Sequence, residues 1–345
     1  MHTMIFFLLL LGFLWLARSI FIPFLVALFL WYMMNVIADG FRQFMPTYKG
    51  KTPMAHVFDW ISRILSIGAI CFIFYLFATH IRPMFAQLQT ALPVLQDKLL
   101  SAVNYLSGSL GISLDTNLLP NFAQIAATVG ASAAGIAASV GMIIIYILFL
   151  FFEQETFRNK IKNLFANKRQ SKKYAYIIES VDKNMKRYLF MKTIISGLTG
   201  LSAYILLRVI GLEFAGAWAF MIFILNYIPT LGSIMACALP ILFALATGPS
   251  VELAVITAIG LIGLEILFGN ILDPKLTGKA LNLSTLAILI NLVFWGMIWG
   301  VVGMFLSVPL LMIIFIITAQ FDSTRPIAVL LSANGNIPDI RGDEE

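Results

Sequence analysis

GLEILFGNILDPKLTGKALNLSTLAILINLVFWGMIWGVVGMFLSVP, residues 263–309, decides the fold. A carboxylate, Glu265, sits inside an apolar run, and Gly269-Asn270 and Asp273-Pro274 then interrupt the helix. A second apolar run follows, divided by Trp295-Gly296 and Trp299-Gly300. Charges and unpaired backbone groups are destabilised in hydrocarbon. Such breaks therefore persist where they face protein or a wet cavity, as in many transporters.

The rest of the chain agrees with a membrane setting. Of 345 residues, 60% are hydrophobic and 12% charged, whereas soluble domains average roughly 45–50% apolar and roughly 25% charged. The expectation is an all-α, polytopic membrane protein in contact with membrane lipid. A formal charge of +6 does not indicate a nucleic-acid binder, because the basic residues gather in particular loops, as membrane orientation requires. Cys71 and Cys237 lie in apolar runs and read as small buried side chains rather than a disulfide or metal pair. His2, His56 and His80 are scattered without metal-ligand spacing. No phosphate-binding GxxxxGK[ST] or GxSxG run occurs, so no enzyme, cofactor or metal centre is expected.

A membrane-spanning helix needs about 20 apolar residues. Residues 20–38, 61–80, 131–152, 193–212 and 251–269 meet that need, and 4–17 is short. Residues 4–17 lack a basic leader and a small-residue cleavage site, so 4–38 reads as a retained pair of membrane segments. The small-residue run 130–141 favours close helix contact. In 82–130, Phe85, Leu88, Leu92, Leu95, Leu99, Val103 and Leu106 recur at helical spacing, which predicts an amphipathic helix.

Residues 153–192 hold eleven Lys or Arg against four acids, with Tyr174, Ile177, Ile178, Val181, Met185 and Tyr188 at helical spacing. That excess places 153–192 in the cytoplasm as a basic amphipathic helix, together with the basic loop 39–60. Counting spans from there leaves 82–130 outside. It puts the N-terminus, residues 270–282 with Lys275 and Lys279, and the tail 319–345 inside.

Two segments are interrupted. Residues 214–247 break at Asn226-Tyr227-Ile228-Pro229-Thr230-Leu231-Gly232, where Pro229 removes a backbone donor and Gly232 permits a tight turn. Residues 283–318 break at 294–300, around Gly296 and Gly300. A 14-residue arm reaches roughly 21 Å, short of the roughly 30 Å of hydrocarbon, so both read as helical hairpins rather than spans. The alternative is a pair of ordinary kinked helices. Counted with the plain spans, the hairpins bring the total to about eight membrane segments. One span precedes each hairpin, and the two pairs run in opposite orientation, the layout of an inverted repeat.

NYIPTLGS (226–233), the Pro-Lys-Leu-x-Gly-Lys run (274–279), LVFWGMIWGVVGMFLSVPL (292–310) and RPIAVLLS (325–332) resemble the autoinducer-2 exporter family. The resemblance implies a multi-pass transporter of the bacterial inner membrane. It also implies either export of the quorum-sensing furanone or exchange of sodium or lithium for protons. Relatives often carry an acid one or two residues before the equivalent of Asn270. Phe268 and Gly269 stand there in this chain, and the nearest acids are Glu265 and Asp273.

The candidate binding residues follow from these breaks. Glu265 is a mid-span carboxylate that could carry a proton; the alternative is a Glu neutralised by hydrogen bonds to a neighbouring helix. Asn270 and Asp273 lie at a helix end, where free carbonyls attract cations; the alternative is capping before Pro274. Asn226, Tyr227 and Thr230 offer donors and acceptors to a hydroxylated solute, or else satisfy the backbone freed by Pro229. Trp295 and Trp299 stack on a solute ring or pack in the protein, and Lys275 and Lys279 read as positive-inside anchors.

The hairpin tips and 251–269 are expected to share one wet hollow. Residues 193–318 would form the transport region, moving against a scaffold of 1–152. Homo-oligomer contacts are expected through 82–110 and 130–141. Three readings compete: transport of a small polar solute such as autoinducer-2, sodium(lithium)/proton antiport on Glu265 and Asp273, and a non-transporting scaffold that recruits partners through 153–192.

Overall fold

A computed structural model describes residues 12–43, 139–153, 168–248, 250–273 and 282–337 continuously, with isolated positions elsewhere. Most of 61–80, and almost all of the amphipathic helix expected in 82–130, lie outside the described residues. In chain order the helices are α1 (Arg18–Gln43), α2 (Ser139–Glu153), α3 (Lys168–Val209), α4 (Ala215–Leu225), α5 (Leu231–Thr247), α6 (Val251–Glu265), α7 (Thr285–Ala319) and α8 (Arg325–Leu331). A π-helical turn, Ile266–Leu272, continues α6. The chain is an all-α polytopic membrane protein. Arg18–Gly40, Tyr174–Val209 and Val251–Leu272 are long and apolar enough to cross a bilayer, and Thr285–Ala319 has the length and apolarity but is interrupted at Gly300.

The chain divides into two compact units. Unit 1 gathers Met1–Ile70, Ser139–Ile194 and Asp273–Glu345; unit 2 gathers Cys71–Ala138 and Ile195–Leu272. In unit 1, Met33 and Val36 of α1, Ile177, Met185 and Leu189 of α3, and Leu311, Met312 and Phe315 of α7 form a buried cluster. Their three- and four-residue spacing puts each set on one helix face. In unit 2 the core is richer in small residues: Ala203, Ala215, Ala236, Ala244 and Ala254 are buried beside Trp218 and Phe243, whose rings lie 5.3 Å apart. Lipid tails are as apolar as the core, so close packing and interhelical hydrogen bonds, not escape from water, hold these helices together.

Two boundaries differ from the sequence reading. The basic helix expected over 153–192 and the span expected over 193–212 share one helix, α3, 42 residues long. At 1.5 Å per residue α3 reaches about 63 Å, twice the hydrocarbon thickness, so its basic first half projects beyond a single crossing. The helix also does not end at Gly269-Asn270. The backbone widens there into the π turn and stays helical to Asp273.

Both interrupted segments are hairpins. The arms α4 and α5 are joined by Asn226–Thr230, whose backbone is tied by Tyr227 N–H to Ile224 O at 3.2 Å and Ile228 N–H to Leu225 O at 2.9 Å. A Cβ on Gly232 would strike the carbonyl oxygen of Leu225, so glycine is what lets α5 start this close to the end of α4. Thr230 sits at φ 59°, which marks the reversal. In α7 the reversal is at Gly300, with φ 63° and ψ −142°, a conformation that favours glycine. Asn291 Nδ2 donates to Ser307 O at 2.6 Å. Sixteen residues of straight helix would hold those groups about 24 Å apart, so the chain folds back on itself. Gly303 faces the carbonyl of Trp295, where a Cβ would not fit.

The tail carries α8. Ser284 N–H donates to Leu331 O at 2.8 Å and Ala333 N–H to Asn282 O at 3.0 Å, which pins RPIAVLLS to the entry of the second hairpin.

Candidate functional site

Unit 2 holds most of the residues singled out in the sequence. Asn226 and Tyr227 are each 3% exposed, whereas Thr230 is exposed. Asn226 ends α4: its backbone N–H bonds Ile222 O, and its side-chain Nδ2 donates to Thr199 Oγ1 of α3 at 3.4 Å. Thr199 in turn donates to Ile195 O at 2.8 Å. Ser196, one helical turn before Thr199, has a buried hydroxyl with no partner among the described residues. The first hairpin thus sets an amide over a hydroxyl-bearing strip of α3. Tyr227 meets the Phe223 ring edge-on at 5.7 Å.

Glu265 closes α6 where the π turn begins. Its Oε1 is buried without a hydrogen-bond partner among the described residues. The carboxyl folds back over Gly269, where a Cβ would collide with Oε1. A side chain at that position would make the carboxyl swing to another rotamer. Cys237 of α5 lies within electrostatic reach of it, and α5 packs along α6. Asn270, in the π turn, is exposed. Among the described residues no hydrogen bond joins Asn226 to Glu265 or Asn270.

Asp273 belongs to unit 1. Its Oδ2 accepts from Lys192 Nζ at 2.5 Å, with the two side chains 7% and 20% exposed. Lys192 entered the sequence reading as one of eleven basic residues in a cytoplasmic helix. It is a buried partner instead. Counting charges cannot separate the two cases; the position of Lys192 just where α3 turns apolar (LFMKTIISG) is the signal that could have. Lys275 is exposed, and Lys279 lies outside the described residues.

The second hairpin accounts for both tryptophans. Trp295 and Trp299 stack at 4.5 Å, and Trp299 stacks on Phe21 at 6.5 Å. Trp295 Nε1 donates to Asn291 Oδ1 at 3.0 Å and Trp299 Nε1 to Leu14 O at 3.2 Å. Both indole N–H groups are satisfied within the protein. Asn291 is the amide in the otherwise apolar stretch LAILINLVFW, and that is the signal in the sequence that marks it.

Among the described residues this arrangement comprises a buried carboxylate oxygen without a hydrogen-bond partner, an amide-and-hydroxyl cluster and a shielded ion pair. The model of the AI-2E family of transporters matches residues 4–322. This chain belongs to the AI-2E family. It is 30% identical over 330 residues to the AI-2 transport protein TqsA of Escherichia coli, covering 92% of this chain and 90% of that one. A Haemophilus influenzae protein is 29% identical over 343 residues, 94% of this chain and 93% of its own. The Escherichia coli protein YhhT is 31% identical over 198 residues, 57% of this chain and 56% of its own. The match takes in both hairpins and the π turn, so these features lie in the part of the chain that defines an AI-2E transporter.

Proposed function

We propose that this AI-2E family member is a secondary transporter of the bacterial inner membrane that moves a small polar solute by alternating access. Autoinducer-2, named for the TqsA relative, is the first solute to test. The observation that carries this reading is Glu265 Oε1, a buried carboxylate oxygen with no hydrogen-bond partner among the described residues, just before a π turn in a helix of membrane length. Ionisable groups at membrane depth are costly and commonly mark a substrate or proton pathway, and π turns recur at functional sites. Asn226 and Thr199 supply the donors and acceptors that a hydroxylated solute needs.

In this reading Asn226, Glu265 and Asn270 face the solute. The N- and C-termini are cytoplasmic and the protein is a homo-oligomer. Purified protein in vesicles, offered a panel of small polar solutes with and without a proton gradient, tests it directly. No flux of any panel member would remove it.

One observation favours a second reading, sodium(lithium)/proton antiport. An unpartnered carboxylate oxygen suits a proton or a monovalent cation as well as a solute hydroxyl. Glu265 carries that reading, because Asp273 is already engaged by Lys192. Sodium-dependent proton movement in the same vesicles, without solute flux, would favour it.

A further inference from the structure

We infer that Lys192 and Asp273 form a clasp that opens and re-forms between the protein's two access states. The inference rests on the transport reading and concerns its control; neither residue is given contact with the solute, and both act as positioning residues.

Three observations carry it. The pair is close and shielded: Nζ and Oδ2 are 2.5 Å apart, and the Lys192 side chain is 7% exposed. Its place in the chain is special. The backbone leaves unit 1 after Ile194 and returns at Asp273. Lys192 and Asp273 therefore tie together, within unit 1, the two ends of the intervening segment 195–272, which carries the first hairpin and Glu265. Finally, the stretch leading into Asp273 is weakly held. The π turn Ile266–Leu272 has no fully buried residue, Phe268, Gly269 and Leu272 being half-buried, so little core packing fixes it, and the ion pair restrains the residue that follows it.

Asp273 ends the helix that the π turn continues, and element ends are where hinges absorb backbone change; Lys192, midway along the unbroken helix α3, is the fixed side of the pair. A buried ion pair suits such a place because it is two-state. Closed, the charges attract strongly at low dielectric; parted, each must find water or another counter-charge. A static role as structural glue makes a different prediction. Two well-packed neutral side chains often hold a fold as well as a buried ion pair does, so glue can be neutralised without consequence, whereas a clasp sets the balance between two states and neutralising it shifts that balance.

The test reads that balance without knowledge of the solute. Cys71 and Cys237 are replaced by alanine and Asn270→Cys is introduced into the full-length protein in vesicles. A membrane-impermeant maleimide is added from the outer or the inner side, and the ratio of the two labelling rates is measured. With Lys192→Met and Asp273→Asn together, that ratio is expected to change at least fivefold while thermal melting stays within a few degrees. An unchanged ratio in folded protein would overturn the clasp.

If the neutral pair unfolds, Lys192→Cys with Asp273→Cys decides, bridged by a short thiol cross-linker. Bridging is expected to slow flux at least tenfold and reduction to restore it; equal flux in the bridged and reduced forms would overturn the clasp. A shifted labelling ratio, together with a wild-type protein that moves nothing in the solute panel, would support the clasp while removing the transport reading.

Discussion

Asn291 donates its side-chain amide to the main-chain carbonyl of Ser307, although sixteen residues separate them. The same side chain accepts from Trp295 Nε1, so one buried amide joins both arms of the second hairpin and fixes an indole. Asn291→Leu removes both bonds and leaves the Ser307 carbonyl and the Trp295 N–H without these partners. The expected loss is about 1–3 kcal/mol, the effect of leaving buried polar groups unpaired. Thermal melting in detergent measures it, and Asn291→Gln should not rescue it, because the longer side chain cannot fit the same spacing.

Gly303 and Gly197 make a matched pair. A Cβ on Gly303 would strike the Trp295 carbonyl across the hairpin, whereas a Cβ on Gly197 meets nothing within 4 Å. Gly303→Ala should lower both melting temperature and flux. Gly197→Ala should leave both near wild type, or raise the melting temperature slightly through helix propensity. Expression, melting and flux of the two variants side by side check this.

Neutralising only one partner of the buried ion pair should be worse than neutralising both. Asp273→Asn strands the Lys192 ammonium in its shielded site, and breaking such pairs one-sidedly destabilises by about 3–5 kcal/mol. The double variant Lys192→Met, Asp273→Asn should recover most of that loss. A melting cycle over the wild type, both singles and the double gives the coupling, and removal of exposed Lys275 serves as the neutral control.

Much of this was legible from residue patterns, for identifiable reasons. The hairpins were legible because their arms are too short to cross and because Pro229, Gly232 and Gly300 leave the backbone little choice. The length of α3 was not. The basic-to-apolar change near Lys192 looks like a loop meeting a span, and only three-dimensional packing shows one helix running through it. Nor was the π turn: Gly269-Asn270 reads as a stop, yet the carboxyl of Glu265 occupies the space a side chain at Gly269 would need, and the backbone widens instead of ending. Of the site, Glu265 and Asn226 stand out in sequence as polar residues in apolar runs. Their surroundings do not, because Thr199, Ser196 and Lys192 come from a helix more than 25 residues earlier.

Thr199 separates a structural from a functional role at the first hairpin. Its bond to Asn226 is long, at 3.4 Å, and side-chain hydrogen bonds between membrane helices average about 0.6 kcal/mol. Thr199→Val should therefore leave melting within about 1 kcal/mol of wild type. If the Asn226–Thr199 cluster faces the solute, the same change should reduce flux at least threefold, with the loss appearing in the solute concentration needed for half-maximal rate.

The most direct measurement is flux by the wild type and by Glu265→Gln in reconstituted vesicles, each with and without an imposed proton gradient. Glutamine keeps the size of the side chain over Gly269 and removes its ability to exchange a proton. The account predicts a wild type whose flux responds to the gradient, and a folded Glu265→Gln variant whose flux falls at least tenfold or no longer responds. A Glu265→Gln protein that matches the wild type under both conditions would contradict it.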